Sequence, residues 1–298
     1  MWRRLIDRVA YALVLAVRAF VAVVPDAVAR GLGTSIGFVF FVLDGRHRGL
    51  AMRQLQAAFP RRSRAECRAI TRATFTHFGR LLIAVLRFST LSKEQMRARV
   101  EYEGDDRVRA ALAAGKGVIL FTGHFGFWEL QGIAHAMAMP PAWMIARPLD
   151  NPWLHRLLEQ IRTINGNRII YKEGAVRRAL TALRSNETIA ILIDQHASDP
   201  GAVTVEFFNR PAATTPTMAA LALRTGAPLI PAFALPLSGG RYRLVYEHPI
   251  ELPPVGSTDP VKELTQRCTD VLEMYVRRHP HLWLWMHRRW RDAGESES

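Results

Sequence analysis

Cysteine is almost absent from this chain. Only Cys67 and Cys268 occur in 298 residues, far apart and outside any CxxC pair. That excludes a disulfide scaffold and a cysteine zinc site, and it points to a reduced, cytosol-facing compartment. Lysine is nearly as scarce, at positions 93, 116, 172 and 262, so 36 of the 40 basic residues are arginine. Several phosphate and metal motifs are missing too: no GxGxxG, no GxxxxGK and no HExxH. The histidines are scattered, so neither a metal nor a cofactor is expected. No clean run of about 20 apolar residues occurs.

What is present is apolar mass and positive charge. Apolar residues make up 49% and charged residues 22%, enough for a full core and against disorder. The net charge of +14 predicts attraction to polyanions: an anionic membrane surface, an acidic protein or nucleic acid. The basic residues are spread along the chain without a recognition motif, and nucleic acid is not the expected partner.

Residues 9–24 are apolar except for Arg18 and follow Trp2, Arg3, Arg4 and Arg8. A buried charge inside the run is costly at a bilayer centre. The pattern predicts a helix lying on or shallowly in an anionic membrane, with the N-terminus on the cytoplasmic side. A core helix is the plain alternative. A cleaved leader ending near Ala27-Val28-Ala29 is disfavoured by Arg18. The expected organisation is a membrane-associated helical segment (1–43), a helical region packed on the catalytic part (44–98), an α/β domain (99–292) and a disordered tail (293–298).

From residue 99 short β-rich runs appear at 99–103, 117–122, 142–146, 188–193, 203–207, 228–235 and 241–246. Helical patterns at 105–114, 127–138, 151–165, 174–184 and 214–225 lie between many of them, and another is expected at 258–279. This alternation predicts an α/β sandwich. Ser63 with Glu66 after Phe59-Pro60 predicts a capped helix start.

The sharpest segment is Gly117-Val-Ile-Leu-Phe-Thr-Gly-His124-Phe-Gly-Phe-Trp-Glu129: strand, glycine turn, histidine, helix. Strand ends of α/β sheets are where ligands sit. His124 in the loop and Glu129 in the first helical turns could converge, giving a general base held by a carboxylate. Arg147, Arg162, Asp194, Gln195 and Arg210 gather mostly after strands, and guanidinium groups suit phosphate or carboxylate. Gly33-Thr-Ser35-Ile-Gly37 matches both GxSxG and GxxxG. It lies in an apolar helical stretch, not at a strand end, so a nucleophilic Ser35 is disfavoured.

Together these segments resemble the bacterial lipid A biosynthesis (lauroyl/myristoyl) acyltransferases, within the glycerolipid acyltransferase superfamily. The likeness runs from Gln54-Leu-Gln-Ala-Ala-Phe59-Pro60 through Thr122-Gly-His124-Phe-Gly-Phe-Trp-Glu129, Arg147-x3-Asn151-Pro152 and Arg162-x3-Gly166. It continues through Asp194-Gln195, Phe207-Phe208-Asn209-Arg210-Pro211 and Leu221 to Pro231, and ends at His279-Pro280-x2-Trp283-Leu-Trp285-x-His287-x-Arg289-Trp290. The resemblance implies a glycerolipid-acyltransferase-like sandwich with a mixed, largely parallel sheet. It implies transfer of a fatty acyl group from an acyl carrier protein thioester to a hydroxyl of a phosphorylated glycolipid, a lipid A precursor. The place would be the cytoplasmic face of the bacterial inner membrane. His124 would be the base and Glu129 its orienter, with Arg147, Arg162, Asp194, Gln195 and Arg210 binding substrate. Another acceptor, such as phosphatidylinositol mannoside or a lysophospholipid, with an acyl-CoA or carrier-protein donor, is the alternative. Phe127 replaces a common asparagine and Gln54 replaces the usual one.

Overall fold

The computed structural model describes residues 2–171, 173–198 and 200–291; the tail expected at 293–298 lies outside them. Five helices come first: α1 (Trp2–Val23), α2 (Asp26–Leu43), α3 (Gly45–Ala58), α4 (Arg64–Phe88) and the short α5 (Lys93–Arg97). The remainder alternates β1 (Val100–Glu103), α6 (Asp105–Ala113), β2 (Val118–Thr122), α7 (Trp128–Ala138), β3 (Ala142–Ile145), α8 (Pro152–Thr163) and β4 (Arg168–Ile170). Then follow α9 (Ala175–Arg184), β5 (Thr188–Leu192), β6 (Val203–Glu206), β7 (Pro211–Thr214), α10 (Thr217–Thr225), β8 (Leu229–Pro236), β9 (Tyr242–Tyr246) and α11 (Pro260–Arg278).

Seven strands form one sheet in the order β1-β9-β8-β2-β5-β3-β4. All neighbours are parallel except β8 and β9, which makes the sheet mixed and largely parallel, as expected. Strands β6 and β7 form a separate antiparallel pair. Strands β4 and β7 are absent from the sequence reading. Each has only three or four residues, too few to show a period.

Strand β2 is buried throughout because both faces of the sheet are covered. Its side chains alternate between two apolar layers. Ile119 and Phe121 join the cluster containing α9, α10, α11 and the C-terminal tryptophans. Val118 and Leu120 join the cluster under α4, α6, α7 and α8. Each such large apolar side chain stabilises the fold by about 1.5–3 kcal/mol on burial.

The N-terminal helices are joined to the sheet through α4. Its start is set by the predicted capping box: Ser63 Oγ accepts from the Glu66 N–H and Glu66 Oε2 accepts from the Ser63 N–H. Helix α2 crosses α4 with almost no separation. A Cβ on Gly37 would collide with the Phe75 carbonyl, and one on Gly79 with the Gly33 carbonyl. The GxxxG stretch is thus a helix-packing seam, and Ser35 sits exposed on its outer side. Arg18 is satisfied within the fold, its Nε donating to Ser89 Oγ at 3.0 Å.

Among the described residues, one helix, α2, is long and apolar enough to cross a membrane, by length and composition alone. Helix α1, the expected anchor, is two-faced. Trp2, Leu5, Ile6, Val9 and Leu13 are exposed, whereas Tyr11, Val14 and Leu15 pack on the core. On α2, Phe38, Val39, Phe40, Val42 and Leu43 are exposed too.

Candidate functional site

Strands β2 and β5 are parallel neighbours with Thr122 opposite Leu192. Two residues beyond each strand the same register brings His124 opposite Asp194. The loop between β2 and α7 is held on several sides. The Leu284 N–H donates to His124 O at 3.1 Å, and the N–H groups of Gly126 and Phe127 donate to Leu282 O and Ala234 O at 2.9 Å each. Buried His77 donates from Nε2 to Gly126 O at 3.0 Å. Burial pulls its pKa down to about 3, so the ring is neutral. Gly126 has φ of 60°, and a Cβ there would strike the Ala234 carbonyl.

Asp194 is nearly inaccessible, at 3% exposure, and fully engaged. Its Oδ2 accepts from the His124 N–H at 2.7 Å and from Trp283 Nε1 at 2.8 Å, and its Oδ1 lies 2.8 Å from His124 Nδ1. Gly123 permits this approach, since a Cβ there would sit 2.9 Å from Asp194 Oδ2. Burial opposes both charges, yet their mutual attraction prevails. His124 is raised above the ordinary imidazole value and Asp194 is held below the ordinary carboxylate value.

The partner of His124 therefore differs from the sequence reading. Glu129 lies in the first turn of α7 and is bound by Arg162, whose Nε and terminal nitrogen reach its two oxygens at 2.8 and 2.5 Å. It acts on His124 only through space, helping to raise its pKa. Asp194, expected among the substrate-binding groups, instead holds the imidazole. Reading along the chain favoured Glu129, five residues away. Strand pairing brings in Asp194, seventy residues away.

The other expected residues do not converge on His124. Arg147 and Gln195 are exposed after β3 and β5. Arg210 lies over the Trp290 ring at 5.0 Å. Phe127 is buried against His77 and Tyr242, with ring centroids 5.1 and 4.7 Å away. Gln54 joins α3 to the C-terminal segment: Nε2 donates to Trp285 O and His287 O, and Oε1 accepts from the Arg289 N–H. Arg289 is buried, and its guanidinium bonds Ala213 O and Thr214 Oγ1. Burial lowers its pKa to about 10. Trp283 and Arg289 escaped assignment because their tail segment has no helix or strand pattern. No group of His, Cys, Asp and Glu suited to a metal occurs among the described residues.

An apolar cavity of about 450 Å³ lies beside the loop, walled by Ile36 and Phe40 of α2, Phe78 and Leu82 of α4, and Leu284 and Met286. Leu284 is the residue whose N–H bonds His124 O. Phe78 packs on Trp128 at 5.5 Å, and Trp128 on His124 at 5.3 Å.

Fold and site define an α/β protein with a carboxylate-held histidine at a strand end, next to an apolar cavity. The chain belongs to the bacterial lipid A biosynthesis acyltransferase family, whose model matches residues 2–292. It is similar to the lipid A biosynthesis palmitoleoyltransferase of Escherichia coli, 25% identical over 89% of this chain and 86% of that one. A lipid A biosynthesis acyltransferase of Haemophilus influenzae is 23% identical over 85% of this chain and 78% of that one. The phosphatidylinositol mannoside acyltransferase of Mycobacterium tuberculosis is 26% identical over 75% and 71%. A crystal structure of the 1-acyl-sn-glycerophosphate acyltransferase of Thermotoga maritima matches with a TM-score of 0.39 and 15% identity, covering 85% of this chain and 96% of that one. That likeness is too loose to carry residue roles across. The protein is thus an O-acyltransferase that acts on lipid.

Proposed function

We propose that this protein moves a fatty acyl chain from an acyl carrier protein thioester to a hydroxyl of a phosphorylated glycolipid, a lipid A precursor. His124 is the general base. The observation that carries this reading is the hold of Asp194 on His124 Nδ1 beside the apolar cavity. A carboxylate on Nδ1 selects the tautomer with its proton there and leaves the Nε2 lone pair to take the acceptor's hydroxyl proton. The alkoxide attacks the thioester carbon, and the imidazolium returns the proton to the departing thiolate. The imidazolium is stabilised by buried Asp194 and, at longer range, by Glu129. Glu129 fixes the Arg162 guanidinium, which meets the acceptor's anionic groups, and Arg147, Gln195 and Arg210 bind substrate farther from His124.

The cavity takes the acyl chain, whose entry lies against the exposed apolar face of α2. That face and the outer face of α1 rest on the membrane, with arginines meeting anionic head groups on the cytoplasmic side of the bacterial inner membrane. The net charge of +14 suits an acidic carrier protein. The mannoside relative favours a second reading, the same chemistry on a phosphatidylinositol mannoside or lysophospholipid with a carrier-protein or CoA donor.

The test is acyl transfer followed by mass spectrometry, with carrier-protein and CoA thioesters of several chain lengths against tetraacylated lipid A precursor, mannosides and lysophospholipids. A new acyl group on the lipid A precursor, absent with His124→Ala, is the expected result. Transfer confined to another lipid supports the second reading. Unchanged turnover in His124→Ala rejects the mechanism.

A further inference from the structure

His287 stands in the C-terminal segment between buried Trp285 and buried Arg289. Its backbone is fixed relative to His124. Gln54 Nε2 donates to His287 O at 2.8 Å, and the Leu284 N–H donates to His124 O at 3.1 Å, with the His287 N–H donating to Leu284 O at 3.2 Å. His287 is among the residues that wall the apolar cavity, with Leu284, Met286 and Phe78. Its Nε2 is buried and has no hydrogen-bond partner among the described residues. An unpartnered buried polar atom in a residue that walls an apolar cavity is a feature that calls for a ligand atom. The ring also lies within electrostatic range of both His124 and Asp194.

Burial first, then His124 and the neighbouring Arg291 and Arg289, hold His287 below the ordinary imidazole range against the pull of Asp194. The ring is therefore neutral near pH 7, with one N–H to donate. A neutral imidazole can polarise a carbonyl.

Building on the acyl-transfer reading above, we propose that His287 is a further catalytic residue. Its Nε2–H donates to the thioester carbonyl oxygen as that oxygen becomes an oxyanion. In the addition step the acceptor oxygen bonds to the carbonyl carbon, its proton passes to His124 Nε2, and the C=O π pair moves onto the oxygen facing His287. Re-formation of C=O breaks the C–S bond, and the thiolate takes the proton back from His124. Ester and free thiol are the products.

Thioester cleavage by water needs the same oxyanion but no lipid. The experiment therefore follows lauroyl-carrier-protein cleavage by the full chain, with and without tetraacylated lipid A precursor. His287→Ala is expected to lower kcat about 100-fold in both arms. The KM for the thioester and the thermal midpoint should stay near wild type. His287→Gln, which keeps an N–H donor, should recover about tenfold. Equal cleavage by wild type and His287→Ala overturns the inference, and lipid transfer still running in that variant leaves the acyltransferase reading intact. A loss that tracks a fallen thermal midpoint and is not rescued by glutamine also overturns it. Cleavage that depends on His287 but yields only free fatty acid supports His287 and rejects the acceptor. A wild-type chain that cleaves no thioester overturns both.

Discussion

Asp194 and His124 make each other's charge tolerable in a place where burial penalises both. That coupling has a pH signature. As the proposed general base, His124 would accept a proton only as the neutral ring, and its pKa is raised above the ordinary imidazole value of 6.5. The rate should therefore fall as pH drops through a midpoint above 6.5, read from kcat/KM against pH. Asp194→Asn removes the charge that raises the pKa, so the midpoint should move to lower pH. The maximal rate should also fall, by about 10²-fold or more, because the tautomer is no longer fixed. Gly123→Ala places a Cβ 2.9 Å from Asp194 Oδ2 and should cost activity while circular dichroism stays native. Wild-type turnover in Gly123→Ala would show that the carboxylate can retreat without consequence.

Among elements, the α2–α4 seam and the start of α4 carry the sharpest expectations. Gly37 and Gly79 allow the two backbones to meet, so Gly37→Leu must force them apart. Overpacking of this kind costs roughly 1–3 kcal/mol, to be read as a lowered denaturation midpoint. The same substitution narrows the cavity, because Gly37 and Gly79 both line it. Ser63→Ala removes the side-chain cap of α4 and should cost roughly 0.5–2 kcal/mol without touching the site. The difference between these variants in acyl transfer separates loss of the seam from simple loss of stability.

At the scale of the molecule, the exposed apolar faces of α1 and α2 and the arginine-rich surface lie on one chain with a site for lipid chemistry. Val39 and Leu43 are 50% and 76% exposed, so charge at these positions spares the core. Val39→Glu with Leu43→Glu should leave the thermal midpoint unchanged. Each should weaken cosedimentation with anionic vesicles about tenfold or more, since a buried apolar side chain of this size contributes about 1.5–3 kcal/mol. Vesicle binding that survives both substitutions would move the membrane contact away from α2.

The local pattern of the chain was sufficient for much of this. Strand β2, the glycine turn, His124 and the start of α7 were legible because each depends on near neighbours: an apolar run, a residue tolerant of sharp turns and a helical period. The Ser63 cap was legible for the same reason. The tail from Trp283 to Trp290 was visible as an aromatic, basic segment, but not as the strap that bonds His124 and Asp194. Only tertiary structure decided which carboxylate holds the histidine. Parallel pairing of β2 with β5 brings together residues seventy apart, and no periodicity along the chain records which strands become neighbours. Sequence alone determined that a histidine would stand at a strand end. The sheet order placed buried Asp194 against it and turned Glu129 toward Arg162, because hydrogen bonding follows distance in space, not separation along the chain.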